Sequence, residues 1–141
     1  MADDPFSVHL QVRSYELDAL GHVNQAVYHS YAEIARTELF RQAGVAMERM
    51  IEERRAAPVM LETRAVFRRE LRAAQDIEVD CVVKFGSGKV FNMDSTIRLP
   101  DGTVSCEVEC VLGLMDLDRR RLVADPAQVL SQYTSKPELF S

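Results

Sequence analysis

Apolar residues recur every three or four positions between Gln25 and Ala43 of this chain, and at every second position over most of its length beyond Pro58. That change of period constrains the fold more than any other feature, because a helix repeats near 3.6 residues and a strand near two. In the first stretch Val27, Tyr28, Tyr31, Ile34, Ala35 and Leu39 line one face of a helix about five turns long. Asn24 is placed to cap its start, since its side chain can accept from the first free amides. Gly44 comes next as the C-terminal stop, with Arg36 and Arg41 towards the negative end of the dipole.

Residues 6–15 alternate in the same two-residue manner, with Phe6, Val8, Leu10 and Val12 opposite Ser7, His9, Gln11 and Arg13, and predict a first strand. Residues 45–55 carry Met47, Met50 and Ile51 at helical spacing before Pro58, enough for a turn or two of helix. Four further strands are predicted over 59–67, 77–85, 90–99 and 104–117, separated by turn signals at Gln75-Asp76, Gly86-Ser87-Gly88 and Pro100-Asp101-Gly102. They read as a meander joined by hairpins. In the last of them Cys106, Val108, Cys110, Leu112 and Leu114 oppose Glu107 and Glu109. The third and fourth agree: Val79, Cys81, Val83 and Phe85 oppose Asp80 and Lys84, and Phe91, Met93, Ser95 and Ile97 oppose Asn92, Asp94 and Arg98. One sheet face is therefore dry and must be covered by the long helix. With no helix returning between the later strands, the class is α+β with an antiparallel sheet of five to six strands. After Asp118 the chain reads as a tail packed along the domain or partly disordered.

A chain of 141 residues is the size of one domain, here 1–141, and its apolar fraction of 47% matches a globular chain. A net charge of -5 opposes binding to a polyphosphate backbone, so nucleic acid is not an expected partner. Arg68, Arg69 and Arg72 can still hold one phosphorylated small molecule, or be a solvated turn. The acidic start Met1-Ala2-Asp3-Asp4-Pro5 lacks the pattern of a secretory signal, and no apolar run approaches the roughly 18 residues of a membrane span. A cytoplasmic location without membrane insertion is expected. Cys81, Cys106 and Cys110 are an odd number of thiols, and the last two would stand about 13 Å apart along a strand, too far to share a zinc. They read as small buried apolar residues.

The irregular stretch before the helix holds Tyr15, Asp18, Gly21, His22, Asn24 and Tyr28, more polar and ring-bearing groups than a connection needs. It runs Tyr15-Glu16-Leu17-Asp18-Ala19-Leu20-Gly21-His22-Val23-Asn24-Gln25-Ala26-Val27-Tyr28, and Glu33-Ile34-Ala35-Arg36 lies just beyond it. This resembles the Y-x-x-D-x-x-x-H-V-N-x-x-x-Y segment and E-x-A-R stretch of the 4-hydroxybenzoyl-CoA thioesterase-like branch of the hot-dog superfamily. The strand order extends the resemblance over most of the chain.

The resemblance implies a hot-dog fold, a sheet wrapped around one central helix, and hydrolysis of acyl thioesters such as acyl-CoA to a carboxylic acid and a thiol. It places Asp18 at the family's nucleophile or general base, and the backbone amide of Gln25 at the donor that polarises the thioester carbonyl. Elementary chemistry agrees with both roles, since an ordinary aspartate is ionised at neutral pH and a helix start presents free amides to a developing oxyanion. Apart from the motif, Asp18 could be a turn aspartate bonding its own backbone. Gly21, His22, Asn24 and Tyr28 are the implied substrate contacts; His22 can instead fix the loop, Asn24 can be only a cap, and Tyr28 can be core. Glu33 and Arg36 are spaced to pair along the helix.

Where relatives carry an aromatic, a proline and then Gly-Asp between the second and third strands, this chain has Phe67, Glu70 and Gln75-Asp76. That loop borders the coenzyme in relatives, which makes Arg68 a candidate coenzyme A contact; Lys89, after the glycine turn, is a second, or a solvated hairpin lysine. No metal or redox cofactor is required. The family's site lies between protomers, so a homodimer, or a dimer of dimers, is implied. A thioesterase acting on carrier-protein-bound acyl groups, a non-catalytic acyl-CoA-binding module and a histidine-dependent dehydratase are the rival readings.

Overall fold

The computed structural model describes residues 5–140. Its elements are β1 (Phe6–Gln11), α1 (Gln25–Ala43), α2 (Met47–Arg49) running into a π-helical turn (Met50–Arg54), β2 (Ala56–Phe67), β3 (Asp76–Phe85), β4 (Val90–Arg98), β5 (Val104–Asp116), β6 (Arg121–Leu122) and α3 (Pro126–Gln132). One antiparallel sheet has the order β1-β3-β4-β5-β2, with β6 pairing the end of β5. Helix α1 lies across its apolar face. Tyr31, Ala35 and Leu39 are fully buried in one core with Val79, Ile97, Cys106 and Leu114. The alanines let the backbone of the helix approach the strands, and the large side chains fill the space to either side.

The helix has the predicted boundaries. Asn24 Oδ1 accepts from the Ala26 amide at 2.9 Å, and Gly44 closes the other end at φ 71°. The positive φ calls for glycine, and a side chain there would also meet Ser135 Oγ at 1.9 Å and force that hydroxyl to turn away.

Several expectations are corrected. Strands β3, β4 and β5 form the predicted meander, but β2 pairs with β5, Ala56 opposite Asp116 and Phe67 opposite Cys106, leaving its other edge unpaired among the described residues. Alternation fixes which face a strand buries and says nothing about which strand sits beside it. Pro58 lies inside β2, where an edge strand tolerates the missing donor. β1 ends at Gln11, and Ser14–Glu16 is a 3-10 turn. Ile34 is 39% exposed while Ala32, left out of the predicted stripe, is buried. Asp80 is buried rather than on a solvated face, because its carboxylate accepts from the Thr96 amide at 2.6 Å and from Arg98 at 2.9 Å. Glu33 and Arg36 do not form an ion pair among the described residues; Arg36 Nη1 turns to the Cys110 sulfur at 3.7 Å. The tail is ordered as β6 and α3, and its Phe140 ring packs on Phe40 and Phe85.

Candidate active site

The segment between β1 and α1 is folded by its own short-range bonds. The Gly21 amide donates to the Asp18 carbonyl at 3.0 Å, and the Asp18 amide to the His22 carbonyl at 2.7 Å, closing a tight turn in which Gly21 has φ 79°. Asp18 Oδ1 accepts from the Leu20 amide at 2.9 Å and the His22 amide at 3.2 Å. Asp18 is thus a turn aspartate bonding its own backbone, and exposed. Its Oδ2 has no hydrogen-bond partner among the described residues, so half of the carboxylate builds the turn and half faces out of it.

Longer-range bonds fix the turn to the body. The Asn24 amide donates to the Glu16 carbonyl and the Val23 amide to the Leu71 carbonyl, both at 2.9 Å, and His22 bridges to Arg72. The segment after β2 is held in turn by Ser105, whose carbonyl accepts from the Arg68 and Arg69 amides and whose hydroxyl donates to the Arg69 carbonyl at 2.7 Å.

A cleft of about 710 Å³ opens between these two segments and the start of α1, and Asp18, His22, Asn24, Gln25, Tyr28 and Arg68 all line it. Gly21 shapes the turn without lining the cleft. At the helix start the Ala26 amide is taken by Asn24 Oδ1 and the Val27 amide by the Asn24 carbonyl. The Gln25 amide is left free among the described residues, a donor at the positive end of the helix dipole. Asn24 is a cap, as the sequence predicts.

Tyr28 is buried, and burial raises its phenol above the usual range. Its ring meets Phe67 edge to face at 5.1 Å, so an aromatic pair forms the apolar wall of the cleft. Phe67, half exposed, is a lining residue absent from the candidates drawn from the sequence, although an aromatic at the end of a strand was its signal.

The two implied coenzyme contacts lie apart. Arg68 reaches the cleft, but its guanidinium is ion-paired with Glu107. Arg69, also on the cleft, has no ion pair among the described residues. Glu70 stands 3.8 Å from His22 Nε2 and 3.2 Å from Arg72. Lys89 lines a different cleft, at the other end of β2, with Arg54 and Arg121.

A carboxylate oxygen, a free backbone donor and an aromatic wall around one opening can bind an acyl group, attack or hydrate its carbonyl, and stabilise the oxyanion. The sequence model described as the thioesterase-like superfamily matches residues 12–133. Among solved structures, a probable thioesterase of Escherichia coli aligns over 92% of this chain and 99% of its own at 22% identity and a TM-score of 0.80. A 1,4-dihydroxy-2-naphthoyl-CoA thioesterase of Synechocystis aligns over 92% and 95% at 14% identity and a TM-score of 0.81. A Staphylococcus aureus protein solved in complex with CoA aligns over 94% and 83% at 19% identity and a TM-score of 0.79. At these identities the structural likeness establishes the hot-dog fold.

Proposed function

The chain belongs to the thioesterase-like superfamily, and from that premise we propose that it hydrolyses acyl thioesters, acyl-CoA above all, at the Asp18 cleft. The observation that carries the reading is the pairing, on one cleft, of an unpartnered Asp18 Oδ2 with the free amide of Gln25. In one form of the reaction the carboxylate attacks the thioester carbon, the thiolate leaves, and water hydrolyses the resulting anhydride. In the other, Asp18 takes a proton from the water that attacks that carbon, and the C–S bond then breaks as the tetrahedral intermediate expels the thiolate, which receives the proton. In both, the negative charge gathering on the carbonyl oxygen meets the Gln25 N–H and the helix dipole. His22 and Asn24 flank the thioester, Tyr28 and Phe67 hold the acyl group, and Gly21 keeps the turn tight enough to present Asp18.

The reading includes a cytoplasmic homodimer or dimer of dimers. The assembly is supported by the edge of β2 left unpaired among the described residues, where Met60 is 39% and Leu61 47% exposed. Among the described residues no helix is long and apolar enough to cross a membrane.

The test is thiol release from aromatic, short and long acyl-CoA substrates, comparing the wild type with Asp18→Asn. Loss of about 10²- to 10⁴-fold in rate with binding retained is expected. Binding without turnover in the wild type would replace the enzyme reading with the acyl-CoA-binding module or the carrier-bound substrate.

A further inference from the structure

Glu70, on the segment after β2, brings a second carboxylate onto the Asp18 cleft. That segment is fixed on both sides of it. Leu71 is fully buried and its carbonyl accepts the Val23 amide, while Gln75 Oε1 accepts the Arg72 amide at 2.8 Å and the turn closes through Ala74 at φ 65°. His22 and Arg72 stand opposite each other in the antiparallel bridge between the two segments. Opposed residues project to one side, as does the residue two positions along, and the one between projects to the other. Burial of Leu71 therefore sends Glu70 and Arg72 to the His22 side. Glu70 Oε1 lies 3.8 Å from His22 Nε2 and accepts from Arg72 Nη2 at 3.2 Å. Glu70 falls in the segment where the family pattern has a proline, so this carboxylate belongs to the chain and not to the pattern.

The nucleophilic form of the reaction leaves one task unassigned. Once acylated, Asp18 is no longer a base, so the water that opens the anhydride needs a different proton acceptor on the cleft. The other titratable side chains there are His22, Tyr28, Arg68, Arg69 and Glu70. The arginines stay protonated, and burial keeps the Tyr28 phenol a donor. Glu70 is engaged by Arg72, which leaves the His22 imidazole. Its position suits the task, because the His22 amide donates to Asp18 Oδ1 at 3.2 Å and sets the ring beside the acylated carboxylate.

We propose that Glu70 is a positioning residue that holds the His22 imidazole as the acceptor for the proton of the hydrolytic water. The inference rests on the thioesterase reading and deepens it. A carboxylate beside one ring nitrogen favours the tautomer with hydrogen on that nitrogen. With Nε2–H directed at Glu70, Nδ1 keeps its lone pair. Asp18 first bonds to the acyl carbon, and the C–S bond breaks to release the thiolate. Water then adds to the acyl carbon while His22 Nδ1 takes one of its protons. The C–O bond to Asp18 breaks, and its electron pair returns to the carboxylate. His22 gives the proton up to the thiolate through solvent, so one carboxylic acid and one thiol are formed and both residues are restored.

One measurement tests the pair without substrate. Nitrogen-15 NMR of the full chain labelled at its three histidines reads the tautomer of His22, whose signals are identified by their loss in His22→Gln. A single Nε2–H tautomer is expected in the wild type and a mixture of both in Glu70→Ala. A mixture in the wild type, or a spectrum that Glu70→Ala leaves unchanged, overturns the proposal whether or not the chain hydrolyses thioesters, so this failure is separate from that of the thioesterase reading. Kinetics then use the acyl-CoA that the substrate panel shows to be turned over, with unfolding curves of each variant to exclude a folding defect. Glu70→Ala should lower kcat about tenfold or more at nearly constant KM, and Glu70→Gln, which keeps an acceptor for Nε2–H, should recover part of the loss. The thiol of the first turnover should still appear in a burst, because acylation of Asp18 does not use His22. In the His22→Gln background Glu70→Ala should cost nothing further. An unchanged kcat, a first turnover as slow as the later ones, or an equal loss in both backgrounds would overturn the positioning role.

Discussion

The hydroxyl of Tyr31, a fully buried residue in the middle of the helix face, donates to Glu16 Oε1 at 2.7 Å and so joins the core to the segment that carries Asp18. Glu16 also accepts from the Arg13 amide at 2.8 Å and is itself buried. Burial and the neighbouring carboxylate raise the Tyr31 phenol, which keeps it a donor.

Tyr31→Phe removes that donor without changing the packing. It leaves a buried carboxylate oxygen one partner short, which costs about 1–3 kcal/mol. Urea denaturation measures it. An unchanged midpoint would mean that the bond contributes nothing net, and that Arg13, through its amide and its guanidinium 3.6 Å from Oε2, holds Glu16 without it.

Asp18 has two tasks that substitution separates. Asparagine keeps an acceptor for the Leu20 and His22 amides, whereas alanine removes it. Asp18→Asn should therefore melt with the wild type, and Asp18→Ala should lose about 1 kcal/mol. Both should lose hydrolysis alike. An active Asp18→Asn variant would remove the carboxylate from the mechanism.

Phe67→Ala deletes half of the aromatic wall while leaving Asp18 and the helix start in place. A lost contact of about 0.5–1.5 kcal/mol between the Phe67 ring and an aromatic acyl group corresponds to a KM for aromatic acyl-CoA raised roughly 2- to 10-fold, with kcat nearly unchanged. A fall in kcat at constant KM would place Phe67 in the transition state instead.

The buried thiols predict weakness in alkali. Burial pushes Cys81 up to about 12 and Cys106 up to about 11 from an ordinary 9.0. Below pH 9 the thiols are protonated in both states and cost nothing. From pH 9 towards 12 the unfolded chain releases protons that the folded chain retains, so stability falls. Urea midpoints between pH 8 and 11 should decline, and the decline should flatten in Cys81→Ala. A midpoint independent of pH over that range would show that the thiols ionise in place.

Local chemistry was enough to read α1 from end to end, because Asn24 and Gly44 act on amides and carbonyls within a few residues of themselves. It was enough for the inward face of β3, β4 and β5, where alternation reports burial directly, and the Asp18 segment was legible as a motif of which Asp18, His22, Asn24, Gln25 and Tyr28 come onto one cleft while Tyr15 and Gly21 stay off it. What the tertiary structure decided are relationships between distant positions: β2 beside β5 rather than β3, Arg68 drawn to Glu107, Glu16 buried under Tyr31, and Lys89 gathered with Arg54 and Arg121 at the far end of β2. Each depends on which segments become neighbours when the dry face of the sheet closes on the helix. The period of a sequence states how much surface a segment must bury, but the partner that buries it is chosen by the packing of the whole chain.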